Sequence, residues 1–345
     1  EAYGVAHKLI QLVRDFEPKK GNTLNPNGLL TNSAEDREQF LHMLEVVERK
    51  LTPLLAKSRC VQVASPAYVI GDIHGNLADL LSLEKAFWKR VPIVGPNLVF
   101  LGDMVDRGKW SIECVTYLMA LKLLMPLKVT LLRGNHEVRS LQCHYTYRTE
   151  CVTKFGEQQG LRLWELTNRV FDRLPLCAVI DETIFCAHGG IPCETVDLNE
   201  IVKLPVEIAD PEHYESRVPW EMLWSDPMAG QQFFETCRLM RVDVTKCTGY
   251  VFNKKRGTAW AFNEQALDAF LATNGLTHLV RAHEVPTNGF FFHFGRKCIT
   301  IFSCSHYCGN ANEAAVLLVD RDRIRIIRVD TTNNASATDL PMGRI

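Results

Sequence analysis

The chain has 345 residues, with 39 Lys and Arg against 40 Asp and Glu, a formal net charge of −1, 46% hydrophobic residues and 23% charged residues. That balance excludes a broadly basic nucleic-acid binder, an acidic solvating tail and a mostly disordered chain. At roughly 150 residues per domain the length allows about two domains, although α/β units often run larger as one.

The amino terminus, which begins at Glu1 and is read as a processing boundary, carries two helical patterns. From Tyr3 to Asp15, and again from Ala34 to Leu55, apolar residues recur at spacings of three and four, as in Phe40, Leu44, Val47 and Leu51. That is the period of an amphipathic helix. Lys19 to Asn32 between them is rich in Gly, Asn and Pro and predicts a loop. The helical prefix is assigned to residues 1–65.

Beyond it, short apolar and β-branched runs alternate with longer amphipathic stretches. Tyr68–Ile70, Val99–Leu101, Val129–Leu132, Ala178–Ile180 and Ile184–Cys186 predict buried strands of an α/β domain. Leu77–Arg90, Ser111–Leu124, Gln158–Arg173 and Glu264–Thr273 predict helices, the last stopped by Asn274-Gly275. From Phe290 to Arg328 further strands follow, and Thr331–Ile345 reads as a loose polar tail. The most apolar stretch, Cys114 to Leu132, is broken by Lys122, Pro126 and Lys128, so no transmembrane helix and no membrane partner is expected. The 12 cysteines lack any Cys-x-x-Cys pair. They read as reduced, buried thiols, which suits a cytoplasmic or nuclear compartment.

Three of the predicted strands end in polar clusters: Gly71-Asp72-Ile73-His74-Gly75, Gly102-Asp103-Met104-Val105-Asp106-Arg107-Gly108 and Arg133-Gly134-Asn135-His136-Glu137. Each alone is ordinary turn chemistry. In an open α/β sheet, however, the carboxyl ends of strands meet along one edge, where ligands bind. Asp, His and Asn converging there offer oxygen and imidazole nitrogen, donors that suit Mn, Fe or Zn and disfavour a thiolate zinc site. A fourth strand end supplies Ala187-His188-Gly189-Gly190 and a fifth Arg281-Ala282-His283-Glu284.

With these motifs, extended by Trp224-Ser225-Asp226-Pro227, the sequence from Tyr68 to Val329 resembles the catalytic domain of the phosphoprotein phosphatases, metal-dependent serine/threonine phosphatases within the wider metallophosphoesterase fold. The resemblance implies an α/β fold in which two mixed β-sheets pack as a central sandwich flanked by helices, with a dimetal site at the carboxyl ends of strands. It also resolves the length into one catalytic domain, residues 66–330, with a tail at 331–345. Two divalent metal ions, Mn, Fe or Zn, are implied: Asp72 and His74 on the first, Asp103 bridging, and Asn135, His188 and His283 on the second. A carboxylate can bridge two cations, whereas an imidazole cannot. Metals roughly 3.5 to 4 Å apart activate a shared water and clamp both ends of an in-line displacement at phosphorus.

A serine or threonine alkoxide is a poor leaving group, so a proton donor opposite the metals should matter by about 10² to 10⁴ in rate. The resemblance makes His136 that general acid, oriented by Asp106; a role as ligand or structural residue stays open. It makes Arg107 and Arg256 the phosphate-clamping arginines, for which a planar two-pronged fork is suited. Tyr307 would flank the phosphate. It lies in Ser303-Cys304-Ser305-His306-Tyr307-Cys308-Gly309, where the family's usual Ser-Ala-Pro-Asn-Tyr-Cys-Gly keeps only its first residue and its Tyr-Cys-Gly core. The expected activity is hydrolysis of phosphoserine and phosphothreonine in proteins. A dinucleoside polyphosphate hydrolase of the diadenosine tetraphosphate type, and a catalytically silent interaction module, are the alternatives. Expected partners are phosphoprotein substrates, with regulatory subunits that could dock on the prefix or tail, and no nucleic acid.

Overall fold

The computed structural model describes residues 1–16, 33–55, 58–88 and 95–331. The predicted loop Lys19–Asn32 and the tail beyond Thr331 lie outside the described residues. The strands are β1 (Cys60–Val63), β2 (Ala67–Ile70), β3 (Asn97–Phe100), β4 (Val129–Leu131), β5 (Cys177–Ile180), β6 (Ile184–Ala187), β7 (Asp226–Pro227), β8 (Tyr250–Phe252), β9 (Trp260–Phe262), β10 (His278–Arg281), β11 (Phe290–His293), β12 (Cys298–Ile301), β13 (Ala314–Asp320) and β14 (Arg323–Val329). The helices are α1 (Ala2–Asp15), α2 (Ala34–Leu55), α3 (Leu77–Leu83), α4 (Ser111–Leu124), α5 (Arg139–His144), α6 (Tyr147–Phe155), α7 (Glu157–Phe171), α8 (Leu198–Lys203), α9 (Val218–Trp224), α10 (Gly230–Met240) and α11 (Glu264–Thr273).

Two mixed sheets form the centre: six strands in the order β1-β5-β6-β10-β12-β11 and five in the order β14-β13-β2-β3-β4. Ala67, Val69, Val99 and Leu317 of the second sheet pack against Ala178, Ile180, Val280 and Ile299 of the first. The outer face of the five-stranded sheet, including Ile70, Phe100 and Val316, lies under α1, α2, α4 and α7. The outer face of the other, including Val179, Phe185 and Leu279, packs on α9 and α11. Strands buried on both faces need apolar residues at successive positions, which is why they read as continuous runs rather than alternations. Helix α4 is buried along nearly its whole length, and α1 buries Ala6, Leu9, Ile10 and Val13 at helical spacing.

Two departures from the sequence reading stand out. The prefix is not helical to residue 65: β1 falls inside it and pairs in parallel with β5, Cys60 opposite Cys177. A third sheet, β7-β9-β8, is also present. Both rest on strands of two to four residues, too short for a period of two to be distinctive. All 12 cysteines are free, and among the described residues no helix is long and apolar enough to cross a membrane.

Candidate active site

The carboxyl ends of β2, β3 and β4 deliver Asp72 and His74, Asp103, and Asn135, while β6 and β10 of the other sheet deliver His188 and His283. The site therefore straddles the two sheets at one end of the sandwich, and an isolated bridge between Asp72 and Phe302 ties them together there. Close approach of the loops after β3 and β4 depends on glycine. A Cβ on Gly102, whose φ is +106°, would sit 2.3 Å from the Gly134 nitrogen. Non-glycine residues with left-handed backbones gather at the same place: His74, Asp103, Asp106, Arg107 and His283 have φ between +46° and +72°. Such conformations persist only where the surroundings hold them.

All six predicted ligands are buried. Asp103 lies between two groups, its Oδ2 3.4 Å from His74 Nε2 and 3.3 Å from His188 Nε2. On one side His74 Nε2 is 3.6 Å from Asp72 Oδ2. On the other, His188 Nε2 is 2.8 Å from Asn135 Oδ1 and 3.2 Å from His283 Nδ1. The far nitrogens of two rings are engaged: His74 Nδ1 meets the Val105 carbonyl at 2.9 Å and His188 Nδ1 the Leu101 carbonyl at 3.0 Å. A carbonyl only accepts, so each Nδ1 carries hydrogen and each Nε2 points its lone pair at the carboxylates.

Lone pairs crowded in this way repel unless a proton or cation lies among them. Burial disfavours a charged His74, yet its hydrogen bond to Asp72 and the nearby charge of Asp103 outweigh burial and hold it at about 9. Burial also opposes charge on His188, but Asp103 raises it above the ordinary imidazole value. Burial pushes Asp103 upward, while His188, His136 and His74 hold it well below the usual carboxylate range. Burial, with Arg256 and His188, keeps His283 neutral. The centre attracts positive charge, and its nitrogen and oxygen donors fit divalent cations. Two sets, His74 with Asp103 and His136, and Asp103 with His188 and His283, each bring their ligand atoms within 4.8 Å of one another.

His136 belongs to the first set, but its Nδ1 is held at 2.7 Å by Asp106 Oδ2. Asp106 Oδ1 accepts in turn from the Thr146 and Tyr147 amides, so the carboxylate cannot swing away. Arg107 is exposed and its guanidinium lies 4.0 Å from the centroid of the Tyr145 ring, which also flanks His136 at 4.8 Å. Arg256 is held more firmly. Its Nε and one terminal nitrogen grip Asp226 at 2.7 and 3.2 Å, and that terminal nitrogen also donates to the His283 carbonyl at 2.8 Å. Burial raises Asp226, but Arg281 and Arg256 outweigh it and bring it to about 2. Tyr307 packs its ring 5.0 Å from that of His74.

Three residues given no role from sequence prove to organise the centre. Glu137, wholly buried, accepts from the amides of Asp103 (2.7 Å), Met104 (2.8 Å) and Gly134 (2.9 Å), cinching the loops after β3 and β4. Burial and the Asp103 charge raise it to about 7. Asp226 and the fully buried Arg281, 2.7 Å apart, anchor Arg256. All three sit inside recognised motifs, so their place was visible while their partners were not. Tyr145, by contrast, carries no motif signal.

Residues 65–286 match the calcineurin-like phosphoesterase family. The chain is 33% identical over 273 residues to the serine/threonine-protein phosphatase PP2A-like PPG1 of Saccharomyces cerevisiae, covering 78% of this chain and 70% of that protein. It is 32% identical over 270 residues to the serine/threonine-protein phosphatase 6 catalytic subunit of Drosophila melanogaster, covering 77% and 78%. Among solved structures it resembles a protein serine/threonine phosphatase from Saccharomyces cerevisiae with similarity to human phosphatase PP5. The TM-score is 0.70 at 26% identity, over 84% of this chain and 89% of that one.

Proposed function

This chain belongs to the calcineurin-like phosphoesterase family, and we propose that it is a metal-dependent phosphatase acting on phosphoserine and phosphothreonine in proteins. The observation that carries this reading is Asp103 set between two buried donor groups, with His136 held beside them by Asp106. Asp72, His74, Asp103, Asn135, His188 and His283 would hold two divalent cations; nitrogen and oxygen donors of this kind suit Mn, Fe and Zn. When bound, the cations lower the pKa of water and polarise phosphoryl oxygens.

The chain's own residues supply the rest. Arg107 binds and orients the phosphate through its guanidinium fork, and Arg256 through Nη1, the terminal nitrogen that its bonds to Asp226 and the His283 carbonyl do not use. Asp226 fixes Arg256, so little side-chain freedom is lost when the phosphate arrives. His136 Nδ1 stays with Asp106, which leaves its Nε2 to give a proton to the departing serine or threonine oxygen. Tyr307 closes the rim beside His74. Catalysis is assigned to residues 66–330, supported through β1 by the end of the prefix. Regulatory subunits, as expected from the sequence, would dock on the prefix or the tail.

The test compares phosphate release from a phosphothreonine peptide with hydrolysis of a dinucleoside polyphosphate, using manganese-loaded protein. Metal-dependent turnover of the peptide is expected. No turnover of either substrate would defeat the reading, and a strong preference for the dinucleotide would replace it.

A further inference from the structure

Thr146, Glu150 and Lys154 are spaced four residues apart, Thr146 at the amino-terminal cap of α6 and the other two within it. Residues at that spacing share one face of a helix. All three reach a single stretch of main chain, residues 107–112, which begins at Arg107. The Arg107 N–H donates to the Thr146 hydroxyl at 2.9 Å. The Lys154 ammonium donates to the Lys109 carbonyl at 2.8 Å and lies 4.5 Å from the centroid of the Trp110 ring. The Glu150 carboxylate accepts from Ser111 N–H at 3.2 Å and Ile112 N–H at 3.1 Å. These are the first amides of α4, whose own cap residue Trp110 provides no side-chain acceptor, so a neighbouring helix satisfies them. Lys154 is neutralised by Glu113 at 2.9 Å and Glu150 at 2.7 Å.

Two features indicate that this face serves the loop more than its own helix. Threonine is favoured at a helix start because its hydroxyl caps the helix amides, yet Thr146 makes no such bond and directs its hydroxyl to Arg107. In addition, Asp106 and Arg107 have φ of +67° and +72°, a conformation that needs external restraint. The same turn provides it to both: the Thr146 amide binds Asp106 and the Thr146 hydroxyl binds Arg107. Replacing buried charges such as Lys154, Glu113 and Glu150 by apolar residues of similar size is often neutral for stability.

We propose that Thr146, Glu150 and Lys154 form a positioning ladder that sets Arg107 to receive the substrate phosphate, Thr146 being the rung that touches Arg107 itself. The proposal rests on the reading of Arg107 as a phosphate ligand. The rungs act through the main chain and do not contact the substrate.

Thr146 is exposed, so Thr146→Val tests the ladder without opening the core. In the metal-loaded full chain, losing one hydrogen bond should raise both KM for a phosphothreonine peptide and the inhibition constant of inorganic phosphate by about fivefold. The value of kcat should stay within about twofold, and Thr146→Ser should restore most of the loss. In an Arg107→Ala background, Thr146→Val should add nothing. The ladder is overturned if Arg107→Ala weakens phosphate inhibition while Thr146→Val does not, or if the Thr146→Val effect is undiminished without Arg107. Unchanged phosphate inhibition in Arg107→Ala alone would remove the role of Arg107 and the ladder with it. The two failures are thus told apart by the single Arg107 variant.

Discussion

Replacing Glu137 with glutamine should loosen the centre more than its isosteric shape suggests. The carboxylate accepts three main-chain amides, two on Oε2 and one on Oε1. Glutamine has one oxygen and one NH2 group. In its better orientation the oxygen keeps Asp103 and Gly134, and the NH2 confronts the Met104 amide. Two donors then face each other in a fully buried site, and leaving each unsatisfied costs about 1 to 2 kcal/mol. A total of about 2 to 4 kcal/mol, set against an unfolding entropy near 2.1 cal/mol/K per residue, lowers Tm by about 3 to 6 °C. Thermal melts of metal-depleted protein at pH 8, above the Glu137 value of about 7, followed by circular dichroism measure this without the contribution of bound ions. Because Glu137 also fixes the Asp103 main chain, metal retained after dialysis should fall with stability. A variant that melts within about 1 °C of the parent and retains the same metal would refute the reasoning.

Three further outcomes are expected. His136→Asn should lower kcat on a phosphothreonine peptide by about 10² to 10⁴ while largely sparing an aryl phosphate, whose leaving group needs no proton. Equal losses on both substrates would argue for a ligand role instead. With His74 held at about 9 in the absence of metal, metal must displace its proton below that pH, so affinity should rise with pH towards 9. Calorimetric titrations in buffers of different ionisation enthalpy would show the proton release, and a pH-independent affinity would contradict it. Asp226, depressed to about 2 from an unfolded value near 3.9, contributes about 2 kcal/mol above that unfolded value, a contribution lost as pH falls from about 4 to 2. The stability gap between the parent and Asp226→Asn, from denaturant melts, should therefore close over that window.

Much of the site is legible in the order of the residues alone. Each strand is an apolar run that stops at a glycine-flanked polar cluster, and a parallel sheet brings such ends to one edge. Hence Asp72, Asp103 and Asn135 could be placed together. The buried strands, the helix Ser111–Leu124 and the helical period of α1 and α2 follow from local residue pattern, because burial on one face or on both leaves a direct imprint on the sequence, whereas the full set of six donors came from the family resemblance. What the pattern could not carry are interactions between residues far apart in the chain and silent in period. Glu137 shares a motif with Asn135, yet its three amide partners lie on two loops. Asp226 becomes the anchor of Arg256 only because β7 and β8 flank β9 in one small sheet. Helix α6 has no counterpart among the helices predicted from sequence, and what Thr146, Glu150 and Lys154 hold becomes visible only where residues 107–112 lie across them. Donor chemistry thus belongs to the sequence, since it is a property of residue type. Ligand geometry belongs to the tertiary structure, since left-handed turns at His74, Asp103 and Arg107 hold their shape only through contacts that distant segments provide.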